Sequence, residues 1–261
     1  MKQDSYSELT TRARLRLLQM HYESNVGHIG GGLSCLDILL CLFHDVMESQ
    51  DMFVLSKGHA AGALYVALWT KGLIEDSELK TFHQDGTKLA GHPVPGWLPE
   101  ISFGTGSLGH GLSLSAGVAL GKKLKEESGQ VFCLMSDGEW NEGSNWEALI
   151  FAVHHGLDNL QVFIDANGLQ GFGTTSEVAG LEPLAEKLRG FGAEVCEANG
   201  HNHEVLTSIL ATKSRTNAPR IVVAHTEKGH GVTFMKNKLE WHYLPLNAEQ
   251  YRQAVSEVSM L

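Results

Sequence analysis

Apolar residues in this chain follow two alternating rhythms. Leu9, Ala13, Leu17 and Met20 recur at helical spacing and predict an amphipathic helix over residues 5–23. Short apolar runs bounded by glycine and polar residues predict buried strands at 53–55, 131–135, 160–164, 193–196 and 220–224. Helical patterns separate them: 35–43, with Ser34 as its cap, an alanine-rich stretch through Leu68, then 112–125, 143–155, 181–191 and 203–214. Gly156 is expected to close the helix that carries Trp146, Leu149, Ile150 and Val153. Asn247 and Gln250 form a capping box for a last helix. Residues 27–32 and most of 71–103 read as loop, and a loop as long as the second is usually functional. Strands alternating with helices imply an α/β fold, a three-layer α/β/α arrangement on a mainly parallel sheet.

Length admits one large α/β domain or two small ones, and residues 1–261 are read as one. The net charge of −10 argues against broad nucleic-acid or anionic-membrane binding. Arg12, Arg14 and Arg16 on the first helix read as a solvated or interface surface. No 18-residue apolar run occurs, and the first ten residues hold no apolar signal region. Cys35, Cys41, Cys133 and Cys196 form no Cys-x-x-Cys pair, so a reduced, cytoplasmic setting is expected. Glycine is abundant, 29 of 261 residues, which suits close approach of backbone to a ligand.

The stretch 131–173 concentrates the chemistry. Two strands joined by a helix both end in an oxygen ligand and a glycine, Asp137-Gly138 and Asn167-Gly168. In a parallel sheet such ends share the carboxyl edge, where ligands bind. One carboxylate and one amide oxygen suit Mg²⁺, which fills its octahedron with phosphate oxygens and water. Four of the 14 histidines lie in glycine-flanked or strand-end loops: His28, His59, His92 and His242. None has zinc-ligand spacing. At one sheet edge they can bind a diphosphate, hold a sugar hydroxyl or move protons.

Asp137-Gly138 followed about thirty residues later by Asn167 resembles the thiamine diphosphate motif, with Ser136 and Ala166 where that pattern usually has Gly and Asn. The remaining loops resemble transketolase motifs in transketolase order. They are Gly27-His28-x-Gly30-Gly31, Val54-Leu55-Ser56-Lys57-Gly58-His59, Gly91-His92-Pro93, the run 104–111 (GTGSLGHG), the central unit, and 228–235 with Trp241-His242. The resemblance covers residues 10–250 and implies the following roles. Asp137, Asn167 and the carbonyl of Leu169 would hold Mg²⁺, and Gly138 would donate its N–H to the diphosphate. His59 and His242 would hydrogen-bond the diphosphate, and Gly106 and Leu108 would line the cofactor rings. His28 and His92 would contact hydroxyls of a ketose donor, with His242 bordering the same channel. Glu142 and Glu147 would lie at a subunit interface near the cofactor, Glu142 counted with the catalytic set. His110 stands where the family has Gln.

A full-length transketolase carries further domains that supply the carboxylate activating the cofactor. The resemblance therefore implies a split enzyme, in which this chain is the amino-terminal, diphosphate-binding subunit. A separate carboxyl-terminal subunit would join it as α₂β₂, and the substrates would be sugars or sugar phosphates. Two alternatives stay open. One is another thiamine diphosphate enzyme, such as 1-deoxyxylulose-5-phosphate synthase or a 2-oxo acid dehydrogenase or decarboxylase subunit. The other is a non-catalytic cofactor-binding partner.

Overall fold

The computed structural model describes residues 5–212, 214 and 216–261. In chain order the elements are α1 (Tyr6–Ser24), α2 (Ile29–Cys41), β1 (Met52–Leu55), α3 (Ala61–Thr70), α4 (Asp76–Leu79), α5 (Gly111–Leu124), β2 (Val131–Ser136) and α6 (Gly143–His154). Then come β3 (Leu160–Ala166), α7 (Thr175–Ala179), α8 (Leu184–Gly190), β4 (Glu194–Asn199), α9 (His203–Ala211), β5 (Arg220–His225) and α10 (Ala248–Val258). The five strands form one sheet in the order β1-β2-β3-β5-β4, and every neighbouring pair is parallel.

The side-chain period of two in each strand builds two cores from one sheet. Phe53, Leu55, Phe132, Leu134, Phe163 and Val222 face one side, where Leu17, Leu36, Leu64 and Leu206 of the helices join them. Val54, Cys133, Met135, Val162, Ile164 and Ile221 face the other, against Leu112, Ala116, Leu149 and Leu188. Strands buried on both faces read as continuous apolar runs, which is why they are legible without alternation. The arrangement is the expected three-layer α/β/α, and the carboxyl ends of β1, β2, β3 and β5 share one edge.

Several local expectations are corrected. Gly30, Gly31 and Gly32 are not loop but the first buried turns of α2. A Cβ on Gly30 would come within 3.0 Å of the Trp241 backbone and side chain, so glycine here serves close packing. Ser34 therefore sits inside the helix and does not cap it. Arg14 and Arg16 are buried, each on a carboxylate, Asp37 at 2.6 Å and Asp76 at 2.9 Å. Pro183 delays the helix expected from 181, so α8 starts at Leu184. α9 ends at Ala211, short of the expected Ser214, and Lys213 lies outside the described residues. β4 continues to Asn199. Residues 71–103 are irregular apart from the single turn of α4.

α2 passes into a π-helical turn, Leu42–Val46. Together they make an 18-residue segment of mean hydropathy 1.5, apolar enough to span a membrane. It is 83% buried within the protein, as a core helix is. Ser34, Asp37 and His44 interrupt it, which hid it from a search for apolar runs.

Candidate active site

The β2–α6–β3 unit brings its two strand ends together as its spacing requires. Ser136 pairs with Asp165 across the ladder, so Asp137 and Asn167 follow side by side. Asp137 Oδ1 accepts from Gly138 N at 2.7 Å and Oδ2 from Gly168 N at 2.6 Å. Asn167 Oδ1 accepts from Leu169 N at 3.1 Å. Burial, then the nearby Asp165 carboxylate, push Asp137 up to about 6. A buried carboxylate with two backbone donors and a like charge beside it favours a cation. Its companions, an amide oxygen and the Leu169 carbonyl, are hard oxygen donors of the kind Mg²⁺ takes. Gly168 has φ +76° and open space where a side chain would stand. A cleft of about 380 Å³ lined by Asp137, Asn167, Gly168 and Thr226 opens beside the pair. The donor set and the cleft fit a magnesium diphosphate.

The four loop histidines converge as expected. His28 lies 5.6 Å from His59, 6.4 Å from His92 and 5.2 Å from His242, ring centre to ring centre, and His59 lies 5.4 Å from His242. Glycines make this closeness possible. A Cβ on Gly27 would fall 2.1 Å from the Tyr243 carbonyl oxygen, and one on Gly106 (φ +143°) 2.7 Å from the His92 ring. His28 itself adopts φ +65° at the head of α2, a left-handed conformation uncommon for a side chain of its size. All four imidazoles are held below their ordinary pKa. Burial is the first cause in each case, and the charge of Lys57, Lys228 or another histidine adds to it. His242 reaches about 3. Near pH 7 the cluster is therefore neutral, able to accept or donate a proton but not to act as a cationic clamp.

The cations are two lysines to which sequence reasoning assigned no role. Lys57 is 1% exposed and bridges the Gly31 carbonyl at 3.1 Å and the Asp165 carboxylate. Burial works against its charge, but Asp165 outweighs it and the ammonium is held above its ordinary value. Lys228 approaches the Leu169 carbonyl at 3.4 Å and donates to His242 Nδ1 at 3.0 Å. Burial and the Lys57 charge push Lys228 down to about 8. Their signal was present in the sequence as lysines inside glycine motifs, Lys57-Gly-His and Lys228-Gly-His. Glu139 was also passed over. It is fully buried and accepts from Ser56 Oγ, from Gly109 N at 2.9 Å and from Ser136 N at 3.3 Å. It thus ties the 104–111 loop to the ends of β1 and β2.

Other expected residues stand apart from this cluster. Glu142 and Glu147 are exposed, Glu142 at the head of α6 beside Gly109. Leu108 is half-buried. Gly138 packs on Gln170, leaving 2.6 Å for a Cβ. His110 is exposed, with Nδ1 near the carbonyls of Ser107 (3.1 Å) and Leu108 (3.2 Å). It lines, with His92, Pro95 and Thr105, an open cavity of about 630 Å³. Asp37, His201 and His230 lie close enough together to suggest a metal site. Their ligand atoms are already engaged: Arg14 grips both Asp37 oxygens at 2.6 Å, and His201 Nδ1–H donates to Asp37 at 2.7 Å. His201 Nε2 takes the Glu227 N–H at 2.9 Å. The cluster is a structural tie.

Comparison with known proteins agrees with this geometry. Residues 8–260 match the family described as transketolase, thiamine diphosphate binding domain. One of the two named subunits of the apulose-4-phosphate transketolase of Phocaeicola vulgatus is 41% identical over 256 residues, 94% of this chain and 91% of that one. The 6-deoxy-6-sulfo-D-fructose transketolase subunit SqwG of a Clostridium species is 37% identical over 243 residues, 89% of this chain and 88% of that one. The crystal structure of transketolase from Campylobacter jejuni superposes with a TM-score of 0.89 at 27% identity, over 97% of this chain but 42% of that one. Like the geometry of its carboxyl edge, these matches say that the chain belongs to the transketolase family, in its thiamine diphosphate-binding domain.

Proposed function

We propose that this chain is the amino-terminal subunit of a split transketolase. With Mg²⁺ and thiamine diphosphate it moves a two-carbon ketol unit from a ketose donor to an aldose or aldehyde acceptor. The observation that carries this reading is the gathering of four neutral histidines and Lys228 beside the Asp137–Asn167 pair. A 2-oxo acid has no hydroxyls for such a set to hold, whereas a ketose donor does. When bound, thiamine diphosphate supplies the nucleophilic carbon and the electron sink that ketol transfer requires.

The chain's residues do the rest. Asp137, Asn167 and the Leu169 carbonyl hold the cation, and the N–H of Gly138 binds a diphosphate oxygen. Lys228, partly deprotonated near pH 8, keeps His242 Nδ1 as an acceptor and so puts the proton on Nε2. His59 and His242 then donate to the diphosphate. His28 and His92, at the outer side of the cluster, orient the donor's hydroxyls and pass protons between them. Neutral imidazoles suit this work, because each can give or take a proton without a charged resting state.

The split architecture is supported by the two relatives named as subunits, which this chain matches over most of both lengths. A rim of large apolar side chains surrounds the histidines: Val94, Trp97, Phe172, Tyr243 and Leu244 are exposed, Phe172 at 88%. A second subunit seated there would exclude water from the cluster and bring the activating carboxylate. Two copies of each would make an α₂β₂ assembly with two sites. The four free cysteines are in keeping with a cytoplasmic setting.

The test is a coupled ketol-transfer assay with Mg²⁺, thiamine diphosphate and a panel of ketose donors, run on this chain with and without the separately purified partner subunit. Turnover only in the mixture is expected. Full turnover by this chain alone would refute the split reading.

A further inference from the structure

Asp165 lies two residues before Asn167, at the end of the central strand β3, and is fully buried. Four donors from four places in the fold converge on it. Ser34 of α2 donates at 2.5 Å, Asn167 Nδ2 lies at 3.3 Å, and Lys57 beyond β1 and Thr226 beyond β5 complete the set. Three of them share Oδ2; Thr226 takes Oδ1. The Mg²⁺–thiamine diphosphate reading uses none of these contacts.

An amide has two unlike ends, and the partner at one end decides which way the other faces. Asp165 is acceptor-only. It draws Nδ2 of Asn167 inward and leaves Oδ1 on the side of Leu169 N, 3.1 Å away. The other half of the pair is fixed independently, by Gly168 N on Asp137. With the amide turned over, Nδ2 would meet the cation and Oδ1 would meet a carboxylate, both repulsive. We infer that Asp165 is a positioning residue for the metal site: it sets the amide of Asn167 so that oxygen, not nitrogen, is presented to the cation. This inference rests on the proposed Mg²⁺–thiamine diphosphate function.

The competing account makes Asp165 only the counter-ion of buried Lys57. Two variants separate the accounts. Asp165→Ala and Asp165→Asn remove the same charge, but the asparagine can keep an oxygen under Asn167 Nδ2 and turn its NH₂ to the Thr226 hydroxyl, which can accept. Binding of thiamine diphosphate to the full chain with its partner subunit is followed calorimetrically while Mg²⁺ is varied. Thermal unfolding of the unloaded chain is recorded alongside. For Asp165→Ala the half-saturating Mg²⁺ should rise at least about ten-fold, the usual effect of removing a group that orients a ligand. Asp165→Asn should restore most of that loss, although both variants melt at similarly lowered temperatures. If Asp165→Ala does not fold, the same two substitutions on a Lys57→Met background, where no buried ammonium is left unpaired, preserve the comparison. Equal Mg²⁺ midpoints in the two variants, with normal binding by the unaltered chain, would overturn the positioning role alone. Binding by the unaltered chain that ignores Mg²⁺ would overturn the function on which it rests, and the inference with it.

Discussion

Two buried ion pairs in this molecule look alike and do different work. Lys57–Asp165 lies at the carboxyl edge of the sheet and Arg14–Asp37 between α1 and α2, both almost without exposure. Around Asp37 the partners are mutually committed: Arg14 spans the carboxylate, His201 uses both ring nitrogens, and His230 stacks on His201 at 3.5 Å. Around Asp165 they are not. Asp137 is pushed up to about 6, first by burial and then by Asp165. Lys228 is pushed down to about 8, first by burial and then by Lys57. Both groups carry a charge that their surroundings resist. Burial of charge therefore does not mark a functional site; charge held against its environment, facing a cleft, does.

The sharpest way to break this contrast is to exchange the expected damage. Asp137→Ala should abolish ketol transfer in the assembled enzyme, and excess Mg²⁺ should rescue it poorly, because the site loses its carboxylate ligand. Its thermal unfolding should hardly change, since a buried carboxylate with a raised pKa contributes little to folding. Arg14→Met should do the reverse. Leaving Asp37 buried beside a neutral chain should cost about 3–5 kcal/mol of stability, while the folded fraction keeps its cofactor affinity. Activity near the unaltered level in Asp137→Ala would sink the metal assignment. Lost cofactor binding in folded Arg14→Met would erase the distinction between the two pairs.

Within the carboxyl edge, the histidines sharpen the comparison further. His28→Ala and His92→Ala should lower turnover about 10²-fold, the lower range for loss of a positioned acid–base group, with thiamine diphosphate affinity nearly unchanged. His59→Ala should weaken both. Steady-state kinetics and cofactor titration on the three variants check this, and loss of cofactor affinity alone in all of them would contradict the donor contacts.

A smaller effect belongs to the helix layer. His21 is fully buried, and its Nδ1 lies 3.2 Å from the Val26 carbonyl. Burial, the largest cause, lowers its pKa from 6.5 to about 4. The unfolded chain thus binds a proton that the folded chain refuses between these values. Stability is full above pH 6.5 and falls as the pH drops toward 4. Between pH 6.5 and 5 the loss is about 2 kcal/mol at 1.36 kcal/mol per unit. His21→Leu should start less stable at pH 7 and show a shallower acid slope in chemical denaturation. An unchanged slope would mean that other groups govern acid unfolding.

Much of this was legible in the chain. The strands were visible because both sheet faces are buried, and the Asp137–Asn167 convergence followed from two parallel strands joined by one helix. The four histidines were visible because each stands beside glycine or at the end of a segment. The supporting charges were not. Spacing shows that Arg14 lies on a helix, but not that Asp37 meets it there. Likewise Lys57 and Asp165 are 108 residues apart and meet only because β1 and β3 flank β2. The helical Gly30–Gly32 stretch misled because glycine runs disfavour helix locally, and only the close approach of Trp241 explains them.

The smallest expected effect tests how the family's motif is met here. Ser136 occupies the position where that motif usually has glycine. Glycine is required where φ is positive or a backbone comes too close, and neither holds at Ser136. It is the last residue of β2, outside the positive-φ positions, and pairs in register with Asp165. Its main-chain N–H binds Glu139 at 3.3 Å, a contact that glycine keeps. Its hydroxyl makes no hydrogen bond among the described residues. Ser136→Gly should therefore leave Mg²⁺-dependent cofactor binding unchanged and cost under about 1 kcal/mol, from the greater freedom of glycine in the unfolded chain. A marked change in cofactor affinity in this variant would show that the serine hydroxyl takes part in the diphosphate site. The boundary between the committed and the uncommitted cluster would then have to be drawn one residue earlier along β2.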